Sequence, residues 1–572
     1  MIKGFLKFIL RMLLWFVLLV VLVVAITAWT MGPRVQKDSA LVLSLSGPLP
    51  EEGPQDWRTK LLVGEVLTTR GILRALEKAQ TDDRIRALIV NSTFARMGPG
   101  KAQEIRSAIR NFASKSKKPV YGFLEDGGTI DYYICSAAAK LYLPPQSDTW
   151  FTLIGLRAEM PFYKGTLDKL GVEAQMEHIG SYKSGSETFT RDNMSEPDRK
   201  QTNELLDSLY QRMTQDIAKD RNLNAATVLA LVDQSPLLSR DLKSKGLIDD
   251  LLYRDQLEAM IKKQLKLKDL HTVSVLEYQK TAFLDLFNEK PDKIALIYAT
   301  GTIIPGESYS GFGEEFMGSG TVSESFKHAR QDSNVKAIVF RVDSPGGSPS
   351  ASDAIWREVQ ITAKQKPVVV SMADVAASGG YYVAMGATRI FADPSTITGS
   401  IGVYGGKFYM KGLYDKIGFK KEVIKRGKHA DLFSDYVPYG DEEWAIIKKH
   451  MSETYDAFTR KAAEGRKKTQ EQIHQIAQGR VWSGDQAKSL GLIDKLGGMV
   501  DAIQEAKQLA KIGDFSFAVY PSNRAGNLTE MISEEERFQL PLSSEIKRLL
   551  AVLKVAEKEP VLLLMPYQIL TN

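Results

Sequence analysis

Short apolar runs alternate along most of this chain with longer segments whose apolar residues recur at every third or fourth position. "AIVFRV" (337–342) and "PVVVSM" (367–372) are β-branched runs of strand length, while "SDAIWREVQITAKQ" (352–365) and "DEEWAIIKKHMSETYDAFTRKAAEG" (441–465) carry helical spacing. Strand–helix–strand alternation of this kind predicts an α/β architecture with a largely parallel sheet. One segment breaks the pattern. "MLLWFVLLVVLVVAITAW" (12–29) is apolar and uncharged throughout, long enough to cross a hydrocarbon core of about 30 Å. Lys3, Lys7 and Arg11 precede it, which keeps the N-terminus cytoplasmic and sends the rest of the chain to the far side. The run is long for a cleaved signal, and "ITAWTMGP" offers a poor small-residue cleavage site. The expectation is an uncleaved single-pass anchor.

The pattern also repeats. "ALVLSLSGPLP" from Ala40 matches "IALIYATGTIIP" from Ile294, and "DDRIRALIVNS" from Asp82 matches "DSNVKAIVFRVDS" from Asp332. "KKPVYGFLEDGGTIDYYICSAAAKLYL" from Lys117 matches "KQKPVVVSMADVAASGGYYVAMGATRIFA" from Lys364. "FYKGTLDKLGV" from Phe162 matches "FYMKGLYDKIGF" from Phe408, and "SRDLKSKGLIDDL" from Ser239 matches "SGDQAKSLGLIDKL" from Ser483. All these pairs keep one order along the chain, the mark of a tandem duplication. The expected organisation is a cytoplasmic N-terminus and anchor at 1–31, a first α/β repeat at 32–285, and a second at 286–572 with a C-terminal tail.

Composition narrows the function. The chain has 572 residues, 44% hydrophobic and 25% charged, with a formal net charge of +6. Lys3, Lys7 and Arg11 supply half of that charge, so the remainder carries no nucleic-acid footprint. A single cysteine, Cys135, excludes an intrachain disulfide, and the six scattered histidines show no HExxH spacing. Neither a metal nor a cofactor is expected.

Candidate chemistry emerges from comparing the two copies. In "ADVAASGGYYVAMGA" (373–387), Ser378 stands between two alanines and two glycines. Such a stretch is either a tight strand-to-helix turn or a nucleophile with bare backbone beside it. With Lys118-Pro119-Val120 set on Lys366-Pro367-Val368, Ser378 falls on Ile130 while Tyr381 falls on Tyr133. The turn "SPGGS" (344–348) faces "NSTFARMGPG" (91–100), where the compact Pro-Gly-Gly is gone. The loss also runs the other way: Lys183, in "EHIGSYKSGSETF", meets Ala430. Alone, Lys183 reads as a surface lysine; with its reciprocal partner, a Ser/Lys pair is the better account. A serine hydroxyl needs a base, and no histidine lies near Ser378 in the sequence. A lysine made neutral by burial can serve, as in Ser-Lys variants of the triad. Ser400, in "STITGSIGV", is replaced by Leu153 in the first copy and is the candidate for holding the lysine. Backbone N–H groups of Gly346 and Gly379 are the candidate oxyanion donors.

The apolar N-terminal segment, the duplication, "YKS" in the first copy, and "DSPGGS", "AASGGYY" and "STITGSIGV" in the second together resemble the signal peptide peptidase A family in its long, duplicated bacterial form. The resemblance spans nearly the whole chain. It implies a crotonase/Clp-protease-like fold for each copy and a serine endopeptidase with Ser378 as nucleophile, Lys183 as general base and Ser400 assisting the lysine. It further implies a homotetramer, single-pass in the bacterial inner membrane with its catalytic domains on the periplasmic side, digesting released signal peptides and other unfolded apolar peptides. Two other function classes fit the residues: a crotonase-type acyl-CoA enzyme, and an inactive membrane scaffold. The tail after Arg524, including "EPVLLLMPYQILTN", has no counterpart in the first copy and reads as packing.

Overall fold

Strand for strand, the two copies build the same parallel sheet. In this computed structural model, which describes residues 12, 15, 35–53, 64–145, 150–280, 290–311, 314–521, 561–565 and 569–570, the first sheet runs His271–Ser274, Ser39–Pro48, Ile85–Arg96, Val120–Phe123, Lys140–Leu143, Asp250–Leu251. The second repeats that order with Ser516–Tyr520, Lys293–Thr300, Val335–Ser344, Val368–Ala377, Arg389–Ala392 and Lys495–Leu496. Every neighbouring pair in both series is parallel. The second sheet adds Ile397–Gly399, parallel to the end of Val368–Ala377, and Val481–Ser483 antiparallel beyond it. The apolar stretch expected for anchoring, 12–29, lies outside the described residues apart from Met12 and Trp15. Among the described residues no helix is long and apolar enough to cross a membrane.

The central strands are uninterrupted apolar runs because both of their faces are covered. In the second copy, Ile338, Phe340, Val368 and Val370 pack under the helices Ser319–Gln331 and Pro349–Ala363. Their alternate neighbours Ala337, Val339 and Val369 pack on Ala502 and Ala506 of the helix Met499–Ala510. The first copy is layered the same way, with Leu257 and Ile261 of Arg254–Gln264 in the corresponding place.

A strand pairing and a buried ionic cluster are among the contacts that join the copies. Strand Glu173–Ile179 of the first pairs antiparallel with Val403–Tyr409 of the second, from Val403 opposite Ile179 to Tyr409 opposite Glu173. The ionic cluster is centred on Arg341 and Lys101. Arg341 reaches Glu51 at 2.9 Å and Glu104 at 2.6 Å, and Lys101 reaches Asp343 at 2.8 Å. The Asp374 carboxylate accepts the N–H groups of Gly98 and Lys101, both at 2.8 Å. Asp374 thus fills the start of the helix Pro99–Ser116, where negative charge is favoured.

The tail packs, as its sequence reads, and it does so as a strand. Val561 and Leu563 pack into the second copy's core, and Val561–Leu564 is a strand of a third sheet. It lies between Gly346–Gly347 and Val403–Tyr409, antiparallel to both. That sheet has room for a short extended segment beside the glycine turn, and the tail occupies it.

Candidate active site

Strand Val368–Ala377 ends at Ser378, and the helix Gly379–Ala384 begins immediately after it. Ser378 sits at φ 55° and ψ −115°, a conformation L-residues avoid and which costs of order 1–3 kcal/mol. Its backbone is held there from both sides: its N–H donates to the Gly399 carbonyl at 2.8 Å, and its carbonyl accepts from Tyr382 N–H at 2.9 Å. A side chain on Gly380 would collide with the Ser344 carbonyl. Small residues around the serine are therefore what the turn requires.

Lys183 arrives from the other copy. Strand Glu173–Ile179 carries the chain to the loop preceding the short turn Ser184–Ser186. The loop is seated on second-copy backbone: Tyr182 N–H donates to the Gln478 carbonyl at 2.8 Å. Gly479, at φ 79°, leaves space for it, since a Cβ there would stand 2.5 Å from Lys183 Cβ and 2.6 Å from its Cα and N. Sequence reading missed Gly479. Its signal was the one used for the serine and lysine, because the first copy has Ser235 at the matching distance before its "SRDLKSKGL" motif.

The side chains converge. Lys183 Nζ lies 2.7 Å from Ser378 Oγ, 3.0 Å from Ser400 Oγ and 3.0 Å from the Ser400 carbonyl oxygen. All three residues are wholly buried. Ser400 is itself left-handed, at φ 52°, and its N–H donates to the Arg480 carbonyl at 2.7 Å. Burial, with no carboxylate to offset it, pushes the Lys183 amine well below the ordinary lysine range. A neutral amine has two N–H groups and one lone pair. The Ser400 carbonyl and hydroxyl can take the two donors, which leaves the lone pair facing the Ser378 hydroxyl.

Gly346 and Gly379 also come together, with one departure from expectation. A Cβ on Gly346, at φ 106°, would stand 2.7 Å from Gly379 N and would collide with the Leu563 carbonyl. The Gly346 N–H, however, donates to Ser344 Oγ at 3.1 Å. The local hydroxyl two residues back competes for the donor expected to face an oxyanion.

The tail covers this place. Gly346 pairs with Leu564 and Gly347 with Leu563, and Met565 N–H donates to the Pro345 carbonyl at 2.8 Å. Met565 packs with Ala377, Ile397, Val481, Leu205 and Leu209, an apolar recess built from both copies. The first copy's equivalent place is closed differently. Ile130 lies within the helix Thr129–Cys135, and the neighbouring Asp131 carboxylate accepts from Ser92 Oγ at 2.5 Å, Ala95 N–H at 3.1 Å and Gly128 N–H at 2.9 Å. Among the described residues no cluster of His, Cys, Asp and Glu is arranged to hold a metal ion.

Sequence comparisons with known proteins agree on one family. The sequence profile of peptidase family S49 matches twice, at residues 113–268 and 360–513, once in each copy. The chain is 35% identical over 512 residues to the chloroplastic serine protease SPPA of Arabidopsis thaliana, covering 87% of this chain and 72% of that one. It is 31% identical over 490 residues to Protease 4 of Salmonella typhi, covering 82% and 78% respectively. Among solved structures, a ClpP1 mutant from Listeria monocytogenes superposes with a TM-score of 0.25 at 18% identity, covering 39% of this chain and 99% of that one. The protein is a serine peptidase. It belongs to peptidase family S49, whose domain it carries in two tandem copies.

Proposed function

We propose that this chain is a membrane-anchored endopeptidase in which Ser378 is the nucleophile, Lys183 the general base and Ser400 the residue that orients the base. The observation that carries the reading is the 2.7 Å approach of Lys183 Nζ to Ser378 Oγ in a pocket where burial favours the neutral amine. Ser378 Oγ attacks the substrate carbonyl as its proton passes to Lys183 Nζ. The ammonium so formed is held by the Ser400 oxygens and then protonates the departing amine, leaving an acyl-serine. Water, deprotonated by the same amine, releases the acid and restores Ser378. The developing oxyanion is met by backbone N–H of Gly379, and by that of Gly346 once it turns from Ser344 Oγ.

Substrate geometry follows from the tail. Ser378 is fully buried, so an external peptide must take the place of Val561–Leu564, extended and antiparallel to Gly346–Gly347. Main-chain pairing of this kind tolerates many sequences, and alternate side chains set preference. The recess holding Met565 accepts an apolar side chain. Unfolded apolar peptides, released signal peptides among them, meet these demands, and the apolar run at 12–29 would hold the site at the bilayer where they collect. The test is labelling by a fluorophosphonate. Attachment at Ser378 in the parent chain, abolished in Lys183→Ala, is the expected outcome; equal labelling of the two would remove Lys183 from the mechanism.

A further inference from the structure

The tail meets both copies at equivalent places. Leu562 and Val561 pair antiparallel with Tyr404 and Gly405 of the second copy, and Leu570 and Ile569 pair antiparallel with Arg157 and Ala158 of the first. Setting Lys164-Gly165 on Lys411-Gly412 makes Arg157 the counterpart of Tyr404 and Ala158 that of Gly405. The order is kept as well, so Ile569 stands at the first copy where Val561 stands at the second. One stretch of chain therefore occupies the same strand edge twice. Eight residues separate the two visits, the length of about 27 Å of extended chain.

The two places share a surface. Leu156 and Met160, flanking Arg157–Ala158, pack on the apolar recess that holds Met565 beside Ala377. Phe94 supplies an independent observation. Continuing the match of Asp82 with Asp332 sets Phe94 on Ser344 and Arg96 on Gly346, the residue that pairs with Leu564 in the second copy. Phe94 is a bulge in its strand, since Ser46 pairs with Thr93 and Gly47 with Ala95. Its φ of 51° is left-handed, which bulky residues avoid, and 61% of it is exposed. Burial within its own chain therefore does not explain an aromatic residue held in a strained conformation. Strain of this kind collects where a ligand is clamped.

We propose that this edge of the first copy, Arg157–Ala158 with Phe94 at the matching turn, is a docking site for the substrate peptide rather than a second catalytic centre. Ile130 stands there in place of Ser378, so a peptide held by the first copy is not cut by it. A substrate that displaces the tail follows its course. It lies extended between Gly346–Gly347 and Val403–Tyr409 at the reacting serine. On the C-terminal side of the residue in the Met565 recess, it then runs along Arg157–Ala158. The inference rests on the proposed entry of substrate in place of the tail. Main-chain pairing makes the second contact tolerant of sequence, and the first contact makes it effectively intramolecular. The substrates so selected are unfolded peptides that continue at least five residues past the recess, as Leu570 lies five beyond Met565.

The test measures binding rather than turnover, by fluorescence anisotropy with the full-length Ser378→Ala chain in detergent. Three fluorescent peptides carry the chain's own sequence: residues 559–566 alone, the same extended C-terminally to 572, and the same extended N-terminally to begin at 553. The C-terminal extension should tighten binding about tenfold, the gain from a few main-chain hydrogen bonds, and the N-terminal extension should not. Ala158→Pro removes an edge N–H, and Phe94→Asn places there a residue that tolerates left-handed φ; each should erase the advantage. An N-terminal extension that binds at least as well, or an advantage that survives either substitution, would overturn the inference and leave the reading of the active site standing. Failure of all three peptides to bind would overturn the entry of substrate in place of the tail, and this inference with it.

Discussion

Replacing Lys183 by methionine keeps the side chain's reach and removes its proton chemistry, and the consequence for stability has a definite sign. In the folded protein burial holds the amine well below its ordinary pKa; in the unfolded chain it titrates near 10.4. Between those two values the unfolded chain binds a proton that the folded one does not, so this group's contribution to stability rises with pH through the window and levels off above the unfolded value. Keeping a lysine neutral costs about 1.4 kcal/mol for each pH unit below its ordinary value, which is roughly 3 kcal/mol at pH 8. Against this, Nζ makes close contacts to Ser378 Oγ, Ser400 Oγ and the Ser400 carbonyl, each worth about 1 kcal/mol net. The two sets nearly offset one another at pH 8, so the absolute stability of Lys183→Met should lie close to that of the parent there. The slope is the sharper quantity. Urea unfolding of both proteins at pH 8, 9 and 10 should show the parent gaining on Lys183→Met by about 1.4 kcal/mol per unit. A difference independent of pH would mean that the buried amine is charged throughout, and the assignment of Lys183 as a base would fall with it.

Four further outcomes are expected. Ser378→Ala and Lys183→Ala should each abolish peptide hydrolysis with the double variant no slower, as for residues acting as one unit, while Ser400→Ala, which leaves the Ser400 carbonyl on Nζ, should cost only about tenfold in kcat, since it biases the base without removing it. Gly479→Ala should disable turnover by driving the Lys183 backbone away, visible as lost fluorophosphonate labelling in a protein that still unfolds cooperatively. Arg341→Met would leave Glu51 and Glu104 buried without their cation and should lower stability by about 3–5 kcal/mol, read from urea midpoints. Removal of residues 559–572 should speed labelling of Ser378 and cleavage of short peptides, and an unchanged labelling rate would show that the tail does not obstruct the site.

Much of this arrangement was legible in the sequence because duplication supplies an internal control. That the two copies share one α/β architecture could be read from matched apolar runs. Ser378, Lys183 and Ser400 stood out because each has a plainly different residue in the other copy, and the structure brings both serines within 3.0 Å of the Lys183 amine. What stayed hidden are pairings that local pattern does not encode. Glu173–Ile179 and Val403–Tyr409 meet across more than 200 residues of chain, and nothing in either segment names the other. The tail strand is apolar in the manner of any core strand, so its place beside Gly346 could not be told from packing. The donation of Gly346 N–H to Ser344 Oγ is a matter of rotamer and φ, below what residue type can specify.

The division of the site between copies has an energetic logic. A strained serine turn costs of order 1–3 kcal/mol, and a buried neutral lysine roughly 3 kcal/mol near pH 8, so a domain retaining both carries a burden comparable to a good part of an ordinary folding free energy. With two copies in one chain, each burden occurs once. Where the first copy lacks the serine, Ile130 lies inside a regular helix and the Asp131 carboxylate is satisfied by three donors around the old turn. Where the second copy lacks the lysine, Ala430 sits in an exposed loop with nothing to desolvate. The vacated serine place thus holds a regular helix beside a buried carboxylate with three donors, and the vacated lysine place is an exposed loop, while the single remaining site is fixed by the contact between copies. The strand pairing that carries Lys183 to Ser378 and the ionic cluster around Arg341 then do more than hold two domains together. They set the Nζ–Oγ distance, so any change that loosens the repeat interface should lower kcat before it lowers the unfolding midpoint.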